Sequence, residues 1–295
     1  MLGKSDVAGQ VRVTAPTWVQ ARSRLVGSTV ATYVLLTVAA VLMAMPFIWM
    51  LSSSFKSYRE IFLDPFRLIP RQWTWTNYRD VFRVAPFHLY ILNTAKVTLF
   101  STLGTLATSS LGAYAFARLR FPGRDYLFMG YLATMMIPGQ VTLVPRFILM
   151  KWLGLIDNHL ALILPGMFTA YGTFLLRQFF LTVPRELEEA AAIDGAGYLR
   201  RFVTIVLPQA RPALATLAVF TIMWHWNDYL NPLVFLHSER NRTLALGLAI
   251  FRGDVDVQWN LVMAAVTISV APLVAAFLAA QRFFVEGIAL TGLKG

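Results

Sequence analysis

Long uncharged runs separated by short polar clusters set the pattern of this chain. The first lies between Arg24 and Lys56, with further runs at 97–117, 126–145, 158–176, 212–227 and 257–281. A helix needs about 20 apolar residues to cross the hydrocarbon core of a bilayer. The fifth run is short by that measure, but its apolar character continues past Asp228 to Leu236. The pattern predicts an all-α membrane protein with six transmembrane helices, at about 26–51, 91–117, 126–149, 158–181, 212–236 and 258–282. Residues 1–25 and 286–295 are then terminal tails around a single domain, 26–285. The first run is too long for a signal-peptide core and is read as retained. Pro138, Pro165 and Pro272 fall inside apolar runs, where kinks set by helix packing are expected.

Composition agrees with this picture: 57% of residues are hydrophobic and 14% charged, against roughly a quarter charged in soluble domains. The net charge of +11 does not indicate nucleic-acid binding, because the basic residues flank apolar runs instead of forming a patch. Lys4, Arg12, Arg22 and Arg24 place the amino terminus in the cytoplasm by the positive-inside rule. Arg118, Arg120 and Arg124 after span 2, and Arg185, Arg200, Arg201 and Arg211 after span 4, fall on the same side. The loop from 56 to 90 also carries six basic residues and lies outside in this scheme; its length weakens their influence.

Catalytic chemistry has little to work with. Without cysteine, thiol catalysis, disulfides and cysteine metal sites are excluded. There is no GxxxxGK[ST] phosphate loop, no HExxH metal pair and no GxSxG nucleophile. His88, His159, His225 and His237 lie near span ends and are expected to be interfacial anchors. Lys96 and Asp228 are the most membrane-embedded charges, too few for a proton relay.

The stretch EEAAAIDGAG, 188–197, departs from these apolar surroundings. Read as a helix, it places Leu187, Ala190, Ala191 and Asp194 on one face. Thr182 is positioned to cap the start, Pro184 and Glu186 suit the first turn, and Gly195 supplies a stop. A second amphipathic stretch sets Tyr198, Phe202, Ile205 and Val206 opposite Arg200 and Thr204, before Pro208 and Pro212 lead into span 5. Over 182–211 this predicts a helix–turn–helix on the cytoplasmic surface, with small side chains that let another surface approach closely.

Glu189-Ala190-Ala191, then Asp194-Gly195-Ala196, then Ile205-x-Leu207-Pro208 resembles the EAA signature of ABC-importer permeases. SFKSYREIF (54–62), WTWTNYRDVF (73–82), WNDYLNPLVF (226–235) and NRTLALGL (241–248) are similar to outer-loop segments of the MalG-type carbohydrate permeases. The resemblance implies the type I importer permease fold, with 182–211 as the coupling loop. It implies half of a translocation pathway for a sugar or oligosaccharide, in the plasma (inner) membrane of a bacterium or archaeon, with both termini cytoplasmic. The implied partners are a second, MalF-like permease subunit, a cytoplasmic ATPase dimer and an extracytoplasmic sugar-binding protein. The chain itself then binds no cofactor and no metal and is not an enzyme; ATP and magnesium belong to the partner ATPase. The implied ATPase-coupling residues are Glu188, Glu189, Ala190, Ala191, Asp194, Gly195, Ala196, Ile205, Leu207 and Pro208, with Lys294 and Gly295 in the tail. The loop from about 237 to 257 is implied to probe the docked binding protein; a loop that only covers the bundle is the alternative.

Trp224, Trp226, Asn227 and Asp228 are candidates for the substrate pathway, since aromatic faces and hydrogen-bonding groups suit a sugar. Interfacial anchoring by the tryptophans and helix-end capping by Asn227 fit the sequence equally well. A self-contained secondary transporter remains the competing function.

Overall fold

A computed structural model describes residues 17–252 and 257–292. Lys294 and Gly295 lie outside the described residues, as does most of the amino-terminal tail. The described residues form helices and their connections, with no strand among them. In order they are α1 (Thr17–Ser53), α2 (Tyr58–Leu63), α3 (Thr76–Val84), α4 (Phe87–Arg118), α5 (Arg124–Ala133), α6 (Leu143–Trp152), α7 (Leu160–Gly166) and α8 (Ala170–Thr182). There follow α9 (Arg185–Ile193), α10 (Tyr198–Arg201), α11 (Leu207–Gln209), α12 (Arg211–Trp226), α13 (Leu230–Phe235), α14 (Leu244–Leu248) and α15 (Trp259–Gly292).

Three stretches are long and apolar enough to cross a membrane unaided: Thr29–Ser53, Leu160–Thr182 and Trp259–Ala279. The helix pair Tyr198–Gln209 and Arg211–Trp226 is long and apolar enough only when taken together as one broken span. Pro138 sits in a non-helical break between the turn Thr134–Met136 and α6. A helix entering such a proline loses a backbone hydrogen bond and meets a steric clash, so the expected kink is here a full interruption. Pro165 lies one residue before the end of α7, whereas Pro272 stays inside a continuous α15.

Helix α4 organises the bundle and packs on α7, α8 and α12. Its buried face carries Thr98, Ser101, Thr102, Thr105, Ser109 and Ser110. Small polar side chains let helix backbones approach closely where lipid removes the hydrophobic drive between helices. A Cβ on Gly172 of α8 would meet Ser109 Oγ at 2.6 Å, so glycine is what this crossing requires. The break between α7 and α8 frees carbonyls that must find donors inside the protein. Thr105 Oγ1 donates to Gly166 O at 2.9 Å, and Thr108 Oγ1 to Met167 O.

The segments 54–62 and 73–82 fold onto each other. Asn77 Nδ2 donates to Ser54 O and Lys56 O, both at 2.9 Å, while Phe55 packs against Trp73, Trp75 and Tyr78. Lys56 is fully buried and donates to Asp64 O and Arg67 O, which satisfies an otherwise costly charge.

Candidate functional site

Two places carry the residues singled out above: the surface segment 184–212 and a cavity at the junction of α12 and α13.

The surface segment begins with α9 at Arg185. Thr182 does not cap it: its hydroxyl donates back to Phe179 O at 2.7 Å within α8, and the residue before the helix is Pro184. Favourable charge at the helix start therefore comes from Glu186 and Glu188. The stop is where the glycine predicts. Gly195 adopts φ +79, its N–H reaches Ala192 O at 3.0 Å, and Ala196 N–H reaches Ala191 O at 2.9 Å. This paired closure is a Schellman motif, which requires a left-handed residue that glycine adopts at little cost.

Most of this segment is open to solvent: Ala190, Asp194 and Pro208 are exposed, and Ala191, Ala196, Ile205 and Leu207 are half-buried. Leu187, Ile193, Tyr198 and Leu199 add large apolar surface, with Ile193 88% exposed.

Glu188 differs from its neighbours: it is buried, with its carboxylate 3.4 Å from the guanidinium of Arg118. The Arg118 side chain is 3% exposed and also donates to Phe180 O and Val183 O. Glu188 thus faces inward, where its pairing with Arg118 joins α9 to the ends of α4 and α8. Glu189, by contrast, is exposed.

The second amphipathic stretch is only partly as expected. Phe202 and Val206 are buried, Ile205 is half-buried, but Tyr198 is 62% exposed. Residues Phe202–Val206 form a π-helical turn, which presses Phe202 against Tyr114 at 5.0 Å and Phe180 at 6.5 Å. The chain then bends by 78° into α12. Pro208 and Pro212 flank the bend at Ala210, where helical hydrogen bonding cannot run through.

The cavity, of about 540 Å³, opens among α6, α7, α8, α12 and α13. Trp224 and Asp228 line it together with His225, Tyr171, Arg146 and Asn231. Asp228 Oδ1 accepts from Asn231 N–H at 3.2 Å and Oδ2 from Asn231 Nδ2 at 2.9 Å. Arg146 Nη2 donates to Asn231 Oδ1 at 3.1 Å, so Asn231 bridges the base and the acid.

The other two candidates are elsewhere. Trp226 is buried in the core with Phe87, Tyr90 and Leu261, and its Nε1 donates to Ser269 O at 3.0 Å. Asn227 ends α12, its Nδ2 donating to Met223 O at 2.8 Å. Helix period explains the split, since successive residues point about 100° apart. Two histidines also depart from interfacial anchoring: His225 lines the cavity, and His159 is buried beside Asn241 O. Arg146 carries no distinct sequence signal, because a charge ending the apolar run 126–145 reads as a span boundary.

Residues 237–251 are tied down. Asp157, at φ +59, accepts from the N–H groups of His237 and Ser238, both at 2.9 Å, through one carboxylate oxygen. Burial alone would raise this carboxyl's pKa, but hydrogen bonds from Ser238, His237 and Asn241 outweigh it and hold it well below the usual range. The apolar centre of the loop, Leu244 to Phe251, does not project: Leu244 and Phe251 are buried in the core with Tyr90 and Phe87.

Residues 104–289 match the family model of the binding-protein-dependent transport system inner membrane component. The sn-glycerol-3-phosphate transport system permease protein UgpE of Pectobacterium atrosepticum is 39% identical, over 78% of this chain and 85% of that protein. The probable ABC transporter permease protein YurM of Bacillus subtilis is 34% identical, over 93% of this chain and 91% of its own. Among solved structures, a bacterial ABC transporter involved in the import of the acidic polysaccharide alginate has a chain with TM-score 0.79 and 26% identity, covering 89% of this chain and 98% of that one.

Proposed function

We infer a specific task from a plain premise: this chain belongs to the family of binding-protein-dependent transport system inner membrane components. It is a permease subunit of an ABC importer. In our reading it forms half of the pathway for a sugar or a related polyol, crosses the membrane six times, and keeps both termini in the cytoplasm. A second permease subunit supplies the other half. Relatives named for sn-glycerol-3-phosphate and for alginate support a hydroxyl-rich substrate.

The observation that carries the coupling reading is the face at 185–199. A short helix with exposed Ala190, closed by a Schellman motif at Gly195 and flanked by exposed Ile193, Tyr198 and Leu199, is built to enter a groove of another protein. The occupant of that role is a cytoplasmic ATPase dimer, which holds ATP and magnesium and performs hydrolysis. Glu189 and Asp194 offer charged contacts at the rim, and Ala191, Ala196, Ile205, Leu207 and Pro208 shape the face. Glu188 acts through Arg118: a push on α9 reaches α4 and α8 through this buried pair. Binding-protein docking outside and ATPase closure inside would then bias the same two-state bundle.

The test is uptake into proteoliposomes containing the purified complex and a sugar-loaded binding protein. Uptake should require both ATP and the binding protein. Uptake driven by an ion gradient without ATP would make the chain a secondary transporter and overturn this reading.

A further inference from the structure

We propose that the cavity at the α12–α13 junction is an anion-selecting stage of the pathway, where Arg146 receives a carboxylate or phosphate carried by a sugar or polyol. This rests on the permease reading and adds the substrate's charge class to it.

The argument begins with an imbalance in the cavity wall. A guanidinium carries five N–H donors, and Arg146 gives one hydrogen bond, to the neutral amide oxygen of Asn231. Its Nε is buried without a partner, and among the described residues no carboxylate forms an ion pair with it. The acid in the same wall is better satisfied. Both carboxylate oxygens of Asp228 receive hydrogen bonds from Asn231. Asn231 therefore turns its donors to the acid and its acceptor to the base, leaving the base with the unmet demand.

Position makes that demand informative. Arg146 lies on α6, between the break at Pro138 and the loop leading to α7. The cavity it faces is bounded by two more interruptions, at α7–α8 and α12–α13. Non-helical backbone at membrane depth is tolerated where it lines a cavity or is buried in protein. Intramembrane charges are costly and mark solute routes when they face such a cavity. A neutral sugar would leave Arg146 with no direct ion-pair partner, Asp228 being reached only through Asn231, whereas a carboxylate or phosphate answers it with paired, charge-assisted hydrogen bonds. Trp224, 74% exposed, and Tyr171 supply flat apolar faces in the same wall, suited to the carbon face of a sugar ring.

The two charges of the wall give the proposal a signature that mere structural damage would not produce. Removing Arg146's charge must weaken an anionic ligand, and removing Asp228's must strengthen it. The probes are two matched pairs: glycerol 3-phosphate with glycerol, and a uronic-acid trisaccharide with a neutral trisaccharide of the same linkage. Binding is measured by equilibrium dialysis on the purified complex of both permease subunits and the ATPase. The charged member of at least one pair should bind about tenfold or more tightly than its neutral mate, the effect of one charge-assisted contact. Arg146→Gln should reduce that preference to within about twofold, Arg146→Lys should keep part of it, and Asp228→Asn should increase it.

Equal affinities within both pairs, binding of neither member of either pair, or an unchanged preference in Arg146→Gln would overturn the proposal. Loss of the second permease subunit from the Arg146→Gln complex would also overturn it, because the guanidinium would then be pairing with an acid of that subunit. If the wild-type chain purifies without any ATPase or second permease, the permease reading itself fails, and that result is distinct from all the others.

Discussion

At 185–199, Leu187, Ile193, Tyr198 and Leu199 stand in solvent, Ile193 by 88%; at 244–251, Leu244 and Phe251 are 1% and 4% exposed. Both are partner-facing candidates by sequence: the first mixes charged residues with an apolar centre, and the second is the apolar centre of the charged loop 237–257. One turns that centre outward and the other inward. A side chain already buried against its own bundle contributes stability, while an exposed apolar face has its stabilising contacts still to make, with a partner. In the importer we propose, any probing of a docked binding protein by residues 237–251 is thus left to exposed polar residues, such as Glu239 and Arg240, and not to Leu244–Phe251. A Cβ on Gly247 would lie 2.3 Å from the Tyr90 ring, which shows how closely this loop is packed on α4.

The sharpest way to break the comparison is to empty the buried side of it. Phe251→Ala removes a ring in edge contact with Phe87 at 5.7 Å. It should cost about 3–5 kcal/mol, the usual penalty for a large core truncation. The readout is thermal unfolding in detergent, where Ile193→Ala on the exposed side should leave the midpoint unchanged. Equal effects at both positions would erase the distinction.

Next is the buried pair that joins the exposed face to the bundle. Glu188→Ala leaves the Arg118 guanidinium without its acid and should cost about 3 kcal/mol. Replacing both partners, Arg118→Met with Glu188→Leu, should recover part of the stability but not ATP-driven uptake, since the link to Phe180 O and Val183 O is gone. Full uptake in the double variant would show that this pair carries no coupling.

A smaller effect is expected at the turn. Gly195 stands at φ +79 with open space around its Cα, so Gly195→Val is strained by backbone conformation alone. The cost is about 1–2 kcal/mol, confined to the closure of α9. Uptake should fall while membrane abundance is retained; unchanged uptake would mean that the Schellman closure is not needed for coupling.

The smallest effect concerns acid. Asp157 has a folded pKa held below its unfolded value, so its stabilisation of the 237–238 turn is present above the ordinary carboxylate pKa and fades as pH falls below it. Amide exchange at His237 and Ser238, corrected for intrinsic rates, should therefore lose protection below about pH 4. Asp157→Asn should show the weaker protection at every pH, and equal protection in both proteins at pH 7 would count against the clasp.

How much of this could be read from sequence differs from place to place for physical reasons. Glycine at 195 announces a left-handed stop because few other residues tolerate that conformation, and the apolar runs announce helices because lipid demands them. The interruption at Pro138 was visible only as a kink, since a proline does not reveal whether flanking turns re-form. Period alone could not decide which side of α9 faces the bundle: Glu188 lies inward because Arg118, 70 positions earlier, waits there. Trp224 and Trp226 looked alike, and the turn of α12 sends one to the cavity and the other to Ser269. The cavity beside Arg146 forms only where two distant chain breaks, at α7–α8 and α12–α13, come together.

The central claim is that the face around Ala190 and Ile193 docks a cytoplasmic ATPase. It is tested most directly by the amount of ATPase retained on the affinity-purified permease complex when that face alone is changed. Ala190→Trp and Ile193→Asp are both exposed substitutions and should leave membrane abundance and detergent unfolding as in wild type. The account predicts that each reduces retained ATPase about tenfold or more, as expected for the centre of an interface. Wild-type retention in both variants would contradict it.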